Sequence, residues 1–281
     1  MKKKVFIWGA TPSIKQEFDE IVFEYEVIGF IDNNADKIGG KLFNIPIYGP
    51  NFVNNEIYKI FILSISGCDS IIEQLEKMGI SKEKIDKYFV EYKVIPRINF
   101  LKNLSLMFET LKLNEAVSEV GVFQGDFAQK INKYFKEQRL YLFDSFEGFD
   151  EKDIVYEKRN NLSNSKANHL SNTSEQVVYA KMPYKDKVKI IKGYFPESVK
   201  DSQIPGRFMF VNIDLDLYKP TYEGLKYFQD KIVKNGVILV HDYFNSEYSG
   251  VEKAVKEFLK ITNEFSVMPI GDMCSIALIK R

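Results

Sequence analysis

Ionisable side chains follow two apolar segments in the second half of the chain. Phe208 to Ile213 is followed by Asp214. Gly236 to Val240 is followed by the pair His241-Asp242. The amphipathic segment between them predicts a strand–helix–strand crossover, which makes the two strands parallel in one sheet. Because ligands bind at the carboxyl ends of such strands, Asp214 and Asp242 are predicted to share one divalent ion.

These strands belong to an α/β unit that we place at residues 95–281. The segment EVGVFQGDFAQ puts Glu119, Gly121 and Gly125 at the first strand-to-helix turn of this unit. Glycines there let the backbone approach a ligand closely and leave the helix N–H groups free. Asp144 ends the next strand, where a carboxylate can accept both hydroxyls of a ribose. The two features predict a nucleoside cofactor, with helix capping as the structural alternative for Asp144.

Another α/β unit precedes it and is predicted to span residues 1–94. Strands such as KKVFIWG, YEVIGFID and KIFILSI alternate with helices, which is typical of a parallel sheet. The predicted fold class is therefore α/β, with two Rossmann-like domains. Gly9 follows the first strand, but Thr11 and Ile14 stand where a dinucleotide fingerprint has glycine, which argues against tight NAD binding.

Two further segments interrupt this alternation. Apolar residues at helical spacing predict a helical linker over 96–114, whose apolar stripe packs on its own domain; dimer formation is the alternative. The polar segment 150–186 is too long for a simple connection. We interpret it as a lid or substrate-binding segment, with a surface insertion as the alternative. His169 within it is interpreted as an exposed loop residue.

Charge and apolar content argue against several classes of protein. Lys plus Arg and Asp plus Glu balance at 39 each, so there is no basic footprint for nucleic acid. No apolar stretch approaches the ~20 residues that span a bilayer, and the basic start lacks a secretory apolar region. Cys68 and Cys274 fit no metal-binding spacing and are interpreted as buried, reduced thiols. We therefore expect a cytoplasmic protein.

From Arg97 to Arg281 the chain resembles the class I S-adenosylmethionine-dependent methyltransferases. Within these it is similar to the macrocin and mycinamicin sugar O-methyltransferase family. The matching segments are EVGVFQGDFAQKIN, LFDSFEGF, SNTSEQVVYAKMPY, GYFPESV, IDLDLYKPTYEGL and HDYFN. The resemblance implies a class I methyltransferase fold with a mostly parallel seven-stranded sheet, and S-adenosylmethionine as the cofactor.

The resemblance also implies cofactor contacts for particular residues. Glu119 and Gly121 would lie along the methionine part of the cofactor, with Gly125 in the same turn. Asp144 would hold the ribose, and Ser145 would lie beside it. Asp214 is assigned to the cofactor site as well as to the metal site.

A metal, usually magnesium, is a further implication of the resemblance. The matching ligand positions are Asp214, His241 and Asp242. Many members of the family have two adjacent aspartates where this chain has His241-Asp242. An imidazole shifts the preference of a site toward softer metals, so the identity of the metal stays open. Tyr218 and Tyr243 follow the acidic residues and either line the acceptor pocket or pack in the core.

The predicted chemistry is the transfer of a methyl group to a sugar hydroxyl, which must lose its proton. A divalent cation bound to the hydroxyl lowers its pKa and fixes its position opposite the sulfonium methyl. Asp214 is assigned as both metal ligand and base, and His241 is the alternative base because its intrinsic pKa lies near neutrality. Asp216 is given a structural role first, as a cap of the helix after Pro220.

The first unit resembles the N-terminal domains of bacterial sugar O-acyltransferases, which bind nucleotide sugars. The matching segments are IWGA, VIGFIDNN, NIPIYG and FILSIS. The resemblance implies that Gly9, Asp32 and Ser64 lie near a nucleotide-sugar or carrier ligand. A scaffold for substrate presentation or dimerisation is the alternative.

Together these features predict an enzyme that methylates a sugar or nucleotide-sugar acceptor in bacterial surface-polysaccharide biosynthesis. We expect S-adenosylmethionine and a divalent metal, in first place Mg²⁺, as cofactors, and a homodimer as the assembly. Two other classes stay open: a nicotinamide-dependent sugar oxidoreductase, and a protein that binds S-adenosylmethionine without catalysis.

Overall fold

The computed structural model describes residues 2–65, 67–200 and 203–281. The chain divides into two compact units, of which the first ends at Ile95 and the second spans Pro96–Arg281. Within the described ranges, no helix has both the length and the apolar character needed to cross a membrane.

The first unit contains a six-stranded sheet. Its elements are β1 (Lys4–Trp8), α1 (Lys15–Glu24), β2 (Glu26–Ile31), β3 (Lys41–Leu42), β4 (Ile45–Tyr48), β5 (Lys59–Ile62), α2 (Cys68–Lys77) and β6 (Ile85–Asp86). The strands lie in the order β3-β4-β2-β1-β5-β6, and only the β3–β4 pair is antiparallel. The prediction of a mostly parallel α/β unit is confirmed.

The central strand β1 shows why this unit folds as it does. Its residues from Val5 to Trp8 are almost completely buried, as expected for a parallel strand with both faces covered. On α1, Phe18 and Ile21 are buried, and Leu75 is buried on α2. The apolar stripe of each helix therefore packs in the core of the unit.

Helix α3 (Tyr88–Thr110) is longer than the linker that the sequence predicts. It begins before Pro96, which lies inside the helix. The Tyr88 N–H donates to Asp86 Oδ1 at 3.0 Å and is thereby satisfied at the first turn. The division between the two units falls within this helix.

The apolar stripe of α3 packs on the core of the second unit. Leu101, Leu104 and Phe108 are buried there, whereas Met107 and Leu111 are each 42% exposed. The buried stripe is therefore narrower than the apolar stripe that the sequence predicts, because the side chains of Met107 and Leu111 are partly exposed. It packs on its own unit, as the sequence analysis expected.

The second unit is built around a seven-stranded sheet. Its remaining elements are β7 (Ala116–Val120), α4 (Asp126–Tyr134), β8 (Leu140–Asp144), α5 (Glu151–Arg159), α6 (Glu175–Lys181), β9 (Val188–Lys192), β10 (Phe208–Ile213), α7 (Tyr218–Phe228), β11 (Ile232–Val240), α8 (Ser249–Ile261), β12 (Phe265–Pro269) and β13 (Ile276–Lys280). The strand order is β12-β13-β11-β10-β7-β8-β9.

This order confirms the predicted mostly parallel seven-stranded sheet. Strands β7 to β11 run parallel, and β13 is antiparallel to both of its neighbours. The chain proceeds from β7 to β8 and β9 on one side, then returns to β10 and β11 on the other. The order therefore reverses between β7 and β10, and open α/β sheets bind ligands at such a switch point.

Apolar cores lie on both faces of this sheet. Phe210 of β10 stacks on Phe135 at a centroid distance of 5.7 Å in one core. Phe208 meets the ring of Phe228 edge-on at 5.3 Å in the other. All six residues of β10 are buried, so the predicted central strand is rigidly held from both sides.

The predicted lid segment 150–186 contains the helices α5 and α6. Side chains of Asp150 and Ser174 cap their first turns. Val178 of α6 is fully buried and lies against Gly125. The polar composition concealed these helices because each buries only a few side chains.

Candidate active site

Three strands end level with one another at the switch point. The register pairs Ile213 of β10 with Val120 of β7 on one side and with Val240 of β11 on the other. The ladder continues for one residue, since the Asp214 N–H donates to Val120 O at 2.8 Å and the His241 N–H to Ile213 O at 2.9 Å. Asp214 and His241 therefore leave the sheet side by side.

A cavity of about 390 Å³ opens at this edge of the second unit. Its wall contains most of the residues that the sequence predicts for cofactor and metal, namely Glu119, Gly121, Asp144, Ser145, Asp214, His241 and Asp242. The volume lies in the range of small-molecule sites, about 300–1,000 Å³. The structure thus brings these residues together around one space.

Gly125 is not one of the wall residues of this cavity. It precedes α4 with a φ of 82°, a left-handed conformation that favours glycine. A Cβ atom at this position would lie 3.1 Å from Val178 Cγ1. Close packing of α6 against the turn therefore explains this glycine, and its assignment to the cofactor stays a prediction.

Asp144 holds the first strand-to-helix turn of the unit in place. Its Oδ2 accepts from the N–H groups of Val122 at 2.7 Å and Phe123 at 2.8 Å. Its Oδ1 accepts from the Phe146 N–H at 2.7 Å. A carboxylate offers about four acceptor sites, so Asp144 can accept one ribose hydroxyl without losing a backbone contact, rather than the two that the sequence suggested.

Glu119 is a deeply buried acid of the cavity wall, with 2% of its surface exposed. Asn212 Nδ2 donates to Glu119 Oε1 at 2.9 Å, whereas Glu119 Oε2 has no hydrogen-bond partner among the described residues. Burial and the negative charge of Asp214 raise the pKa of the Glu119 carboxyl well above its usual value. A cationic or hydrogen-bond-donating ligand would remove the cost of this unpaired oxygen.

Arg97 is a cation of the site that the sequence analysis missed. Its Nη2 donates to Asp214 Oδ2 at 3.0 Å and to Asn212 Oδ1 at 3.1 Å. The guanidinium lies 3.9 Å from the ring centroid of Phe127. Burial opposes its charge, but Asp214 and Glu119 raise the pKa of Arg97. An arginine in an amphipathic helix is common, so no signal in the sequence distinguished it.

Asp214, Asp216 and Asp242 form an acidic cluster, in which one carboxylate oxygen of each lies within 4.8 Å of the others. Burial and the charges of Asp242 and Asp214 raise the pKa of Asp216 well above its usual value. Burial would also raise the pKa of Asp242, but His241 and hydrogen bonds, including one from Asp216, lower it. Such a cluster holds a proton or a cation, because like charges this close repel strongly.

The prediction that Asp216 caps the helix after Pro220 is wrong. Helix α7 begins earlier, at Tyr218, whose N–H donates to Glu157 Oε1 at 2.8 Å. Strand β10 ends at Ile213, and the chain turns at Asp216 with a φ of 59°. The alternation of a strand no longer applies there, and Asp216 turns toward Asp242 instead.

The predicted metal ligands Asp214, His241 and Asp242 fall into two overlapping groups of possible ligands in the structure. Asp216 stands with Asp214 and Asp242, while His241 falls in a second group with Asp242 and Cys274. Cys274 Sγ lies 3.9 Å from His241 Nε2 and 3.3 Å from Asp242 Oδ1. The sequence analysis missed Cys274 because it is remote from the other two in the chain and only the fold brings them together.

Another carboxylate in the cavity wall, Asp153 of α5, was also missed. Tyr194 OH donates to Asp153 Oδ2 at 2.8 Å. Asp153 Oδ1 is buried and has no partner within the described part of the chain, and burial raises the pKa of this carboxyl. Both residues line the cavity, so part of the predicted lid segment contributes to the site.

The aromatic candidates lie elsewhere. Tyr218 stacks on Tyr156 at 5.2 Å and donates from its hydroxyl to Glu257. Tyr243 packs against Phe244, and neither tyrosine belongs to the cavity wall. His169 is exposed, as predicted. The packing alternative therefore accounts for both tyrosines.

Gly9, Asp32 and Ser64 lie close together in the first unit. A Cβ atom on Gly9 would lie 3.4 Å from Ser64 N. Asp32 Oδ2 accepts from the Ala10 N–H at 3.0 Å and from Lys37 Nζ at 2.9 Å. Burial opposes the charge of Asp32, but hydrogen bonds from its own loop and from Lys37 lower its pKa. The contact of these residues with a nucleotide sugar stays a prediction.

The fold and the site define the second unit as an S-adenosylmethionine-dependent O-methyltransferase. Its sheet reverses at a cavity that contains the glycine turn, the acid after the second strand of the unit and an acidic cluster. The chain belongs to the macrocin O-methyltransferase (TylF) family, whose model matches residues 96–274, more than half of the chain. A second model, described as C2185-like, N-terminal, matches residues 1–86.

Solved structures share the fold. The O-methyltransferase NovP aligns with a TM-score of 0.52 and 18% identity, over 66% of this chain and 80% of NovP. CalS11, a calicheamicin methyltransferase, aligns with a TM-score of 0.50 and 13% identity, over 78% of this chain and 87% of CalS11. A comparison with curated proteins finds no sequence match.

Proposed function

We propose that this enzyme transfers the methyl group of S-adenosylmethionine to a hydroxyl of a nucleotide-linked sugar, with the help of a divalent cation. The single observation that carries this proposal is the juxtaposition of Glu119 with the acidic cluster in the wall of one cavity. A buried, partly unpaired carboxylate suits the positive charge of the cofactor. A cluster of three aspartates suits a cation that activates a hydroxyl.

The cofactor end of the site follows from the first strand-to-helix turn. Glu119 Oε2 would accept from the ammonium group of the methionine part, because it is buried beside the first strand-to-helix turn without a partner among the described residues. Gly121 lines the cavity, and the cofactor would pass along the backbone of this turn. Asp144 would accept one ribose hydroxyl through its remaining acceptor site, with Ser145 beside it.

The acidic cluster fits Mg²⁺, the cation that we propose for this site. Asp214, Asp216 and Asp242 offer only carboxylate oxygens, which are hard ligands. Arg97 forms a salt bridge with Asp214, whereas no residue of the described part of the chain forms a salt bridge with Asp216 or Asp242, so these two carboxylates lack a paired positive charge. A bound cation would supply that charge, and its chemistry is to lower the pKa of a sugar hydroxyl.

The chain itself has two candidates for removing the hydroxyl proton. Asp214 is held in place by Arg97, whose Nη2 donates to Asp214 Oδ2 and fixes its orientation. His241 is oriented by Ser275 at 2.9 Å and lies in the cavity wall. We propose Asp214 as base and ligand and His241 as the alternative base, and separate substitutions distinguish them.

The proposed acceptor class rests on family membership and on the first unit. The macrocin and mycinamicin enzymes that the chain resembles act on sugar hydroxyls, and the first unit resembles domains that bind nucleotide sugars. A bacterial surface-polysaccharide pathway and a homodimer are further parts of the proposal. Thr11 and Ile14 stand where a dinucleotide-binding fingerprint has glycine, and this argues against the nicotinamide-dependent alternative.

Calorimetric titration of the chelator-treated full chain with S-adenosylhomocysteine, with and without Mg²⁺, tests the cofactor site. Binding is expected in both conditions, and its absence in both would overturn the methyltransferase assignment. Methyl transfer is then measured on a panel of nucleotide sugars, free sugars and polysaccharides. Turnover only on free sugars or polymers would refute the nucleotide-linked acceptor while leaving the enzyme class intact.

Asp214→Asn and His241→Gln, each compared with Asp230→Asn, test the metal and the base. Asp230 is an exposed aspartate of the same unit, so its substitution controls for the loss of one negative charge. Loss of turnover in Asp214→Asn with cofactor binding preserved supports the proposal. Full Mg²⁺-dependent turnover in Asp214→Asn would contradict it.

A further inference from the structure

We propose that His241, Asp242 and Cys274 form a binding site for a divalent cation of the zinc class, distinct in ligand chemistry from the cluster of aspartates. Each of the three offers one ligand atom, and all three atoms lie within 4.8 Å of one another. This inference goes beyond the proposed function and does not depend on it, because binding of the cation is tested without cofactor or acceptor.

The distances fit a common ion. Cys274 Sγ lies 3.9 Å from His241 Nε2 and 3.3 Å from Asp242 Oδ1. A tetrahedral zinc site has bonds of about 2.0–2.3 Å, which place neighbouring ligand atoms about 3.5 Å apart. The observed separations bracket this value, so small side-chain adjustments suffice to bind one ion.

Hydrogen bonds on the Nδ1 side of His241 determine that Nε2 is the ring nitrogen available to the proposed ion. Asp272 is buried, and its Oδ1 accepts from the N–H groups of Cys274 at 3.0 Å and Ser275 at 2.7 Å. Ser275 Oγ lies 2.6 Å from Asp272 Oδ2, and a carboxylate only accepts, so the single Ser275 hydroxyl proton points to Asp272.

The state of the histidine ring follows from this contact. His241 Nδ1 lies 2.9 Å from Ser275 Oγ, which has already used its proton and therefore accepts. Nδ1 must carry a proton, and the neutral ring has its lone pair on Nε2, the atom that faces Cys274 Sγ. In metal-binding histidines, the ring nitrogen that does not bind the metal usually donates a hydrogen bond to a neighbouring acceptor. Here that acceptor is Ser275 Oγ, which is itself hydrogen-bonded to the Asp272 carboxylate.

The backbone fixes Cys274 as well. Its carbonyl oxygen accepts from the Phe244 N–H at 3.0 Å, and its N–H is bound by Asp272. The segment before β13 is thereby tied to the end of β11, which carries His241 and Asp242. The thiol is thus presented by a braced segment, and it donates to Asp242 Oδ1 when no metal is bound.

The ligand types select the ion. Nitrogen, thiolate sulfur and carboxylate oxygen suit Zn²⁺ or Co²⁺, whereas Mg²⁺ prefers oxygen alone. When the cation binds, the Cys274 thiol loses its proton to solvent and the sulfur becomes a ligand. Asp242 belongs to both groups, so an ion in this site competes with Mg²⁺ for that carboxylate.

Cobalt titration of the chelator-treated full chain tests the proposal, because Co²⁺ bound to a thiolate gives a charge-transfer band in the near ultraviolet. We expect this band in the wild-type protein and in Cys68→Ser, and its loss in Cys274→Ser. Cys68 is the matched control, since it is a free, buried thiol of the first unit. Absence of the band, or a band unchanged in Cys274→Ser, would overturn the proposal.

Two further variants keep the test decisive if Cys274→Ser does not fold. Ser275→Ala should weaken cobalt affinity roughly 10- to 100-fold, the usual effect of removing a partner behind a metal-binding histidine. Asp214→Asn, which changes the acidic cluster but none of the three proposed ligands, should leave the band in place. Unchanged affinity in Ser275→Ala, or a band lost in Asp214→Asn, would refute a site built on His241 and Cys274.

Discussion

The Cα of Gly121 faces the main-chain carbonyl of Asp214 so closely that a Cβ atom on Gly121 would lie 1.8 Å from that oxygen. Gly121 also has a φ of 81°, in the left-handed region. The glycine turn after β7 and the first aspartate after β10 are therefore packed backbone to backbone. The geometry of the predicted cofactor wall depends on this contact between neighbouring strands.

Gly121→Ala should abolish cofactor binding. The added methyl group cannot fit against the Asp214 carbonyl, so either the turn after β7 or the end of β10 must move. S-adenosylhomocysteine affinity, measured by calorimetry, is expected to fall at least a hundredfold, since misplacement of a positioned backbone removes several contacts at once.

Gly271→Ala separates this clash from simple backbone strain. Gly271 has a φ of 86°, similar to that of Gly121, but a Cβ atom there would meet nothing within 4 Å. This control should lose about 1–2 kcal/mol of stability and keep its cofactor affinity. Equal loss of affinity in both variants would contradict the packing argument.

Glu119→Gln should weaken S-adenosylhomocysteine binding roughly ten- to hundredfold. The substitution keeps the shape of the side chain but removes the charge that would pair with the ammonium group of the ligand. Hydrogen bonds to charged groups contribute about 1.5–3 kcal/mol. Affinity equal to that of the wild type would show that Glu119 does not contact this part of the cofactor.

The same substitution should make the free protein more stable, and increasingly so at higher pH. Burial and Asp214 raise the pKa of Glu119 in the folded protein, so the unfolded chain releases this proton at a lower pH than the folded one. Stability of the wild type therefore falls as the pH rises from the ordinary glutamate pKa toward the raised folded value. The Glu119→Gln variant has no carboxyl at this position, so it does not lose stability through this titration as the pH rises.

Denaturation of both proteins across a pH series measures the effect. The difference in the free energy of unfolding between Glu119→Gln and the wild type should be small at pH values below the ordinary glutamate pKa, about 4.3, and grow above it. Comparison of the two proteins cancels the titration of all other groups that keep their environment. A difference that shrinks with rising pH would contradict the raised pKa.

The sequence predicted the parts of the site that follow from strand topology. Asp144 ends β8 and Asp214 directly follows β10, and the carboxyl ends of such parallel strands meet at one edge of the sheet. Arg97, Asp153 and Cys274 were missed, because each reaches the site from a helix or loop whose position depends on tertiary packing. Residues far apart in sequence leave no spacing pattern to detect.

Local backbone geometry explains the remaining differences. Asp216 was interpreted as a cap of the helix after Pro220, but that helix begins at Tyr218 and the chain turns at Asp216 with a positive φ. The helices α5 and α6 within 150–186 gave no periodic signal because few of their residues are apolar, although buried residues such as Val178 and capped helix starts give the segment defined structure; its role as a lid or substrate-binding segment stays a prediction. Neither a turn nor a sparse packing contact leaves a periodic signal.

Arg97→Met should destabilise the second unit by roughly 3–5 kcal/mol, the usual effect of removing one partner of a buried ion pair. Asp214 would lose its only described salt-bridge partner, and Glu119 would lose a nearby positive charge. Arg207→Met is the control, because Arg207 pairs with Glu115 while 72% of its side chain is exposed. Chemical denaturation should show a much smaller loss for this control.

Asp216→Asn should stabilise the metal-free protein and remove its response to Mg²⁺. Burial and the charges of Asp242 and Asp214 raise the pKa of Asp216, and a neutral amide avoids the cost of an ionised carboxyl there, so the metal-free variant should unfold at a higher temperature than the metal-free wild type. A gain of 1 kcal/mol corresponds to a shift of about 2–4 °C for a unit of this size.

Addition of Mg²⁺ should raise the melting temperature of the wild type and of Asp230→Asn, but not that of Asp216→Asn. An Mg²⁺ response that survives in Asp216→Asn would place the cation away from the acidic cluster, because the variant keeps every other aspartate.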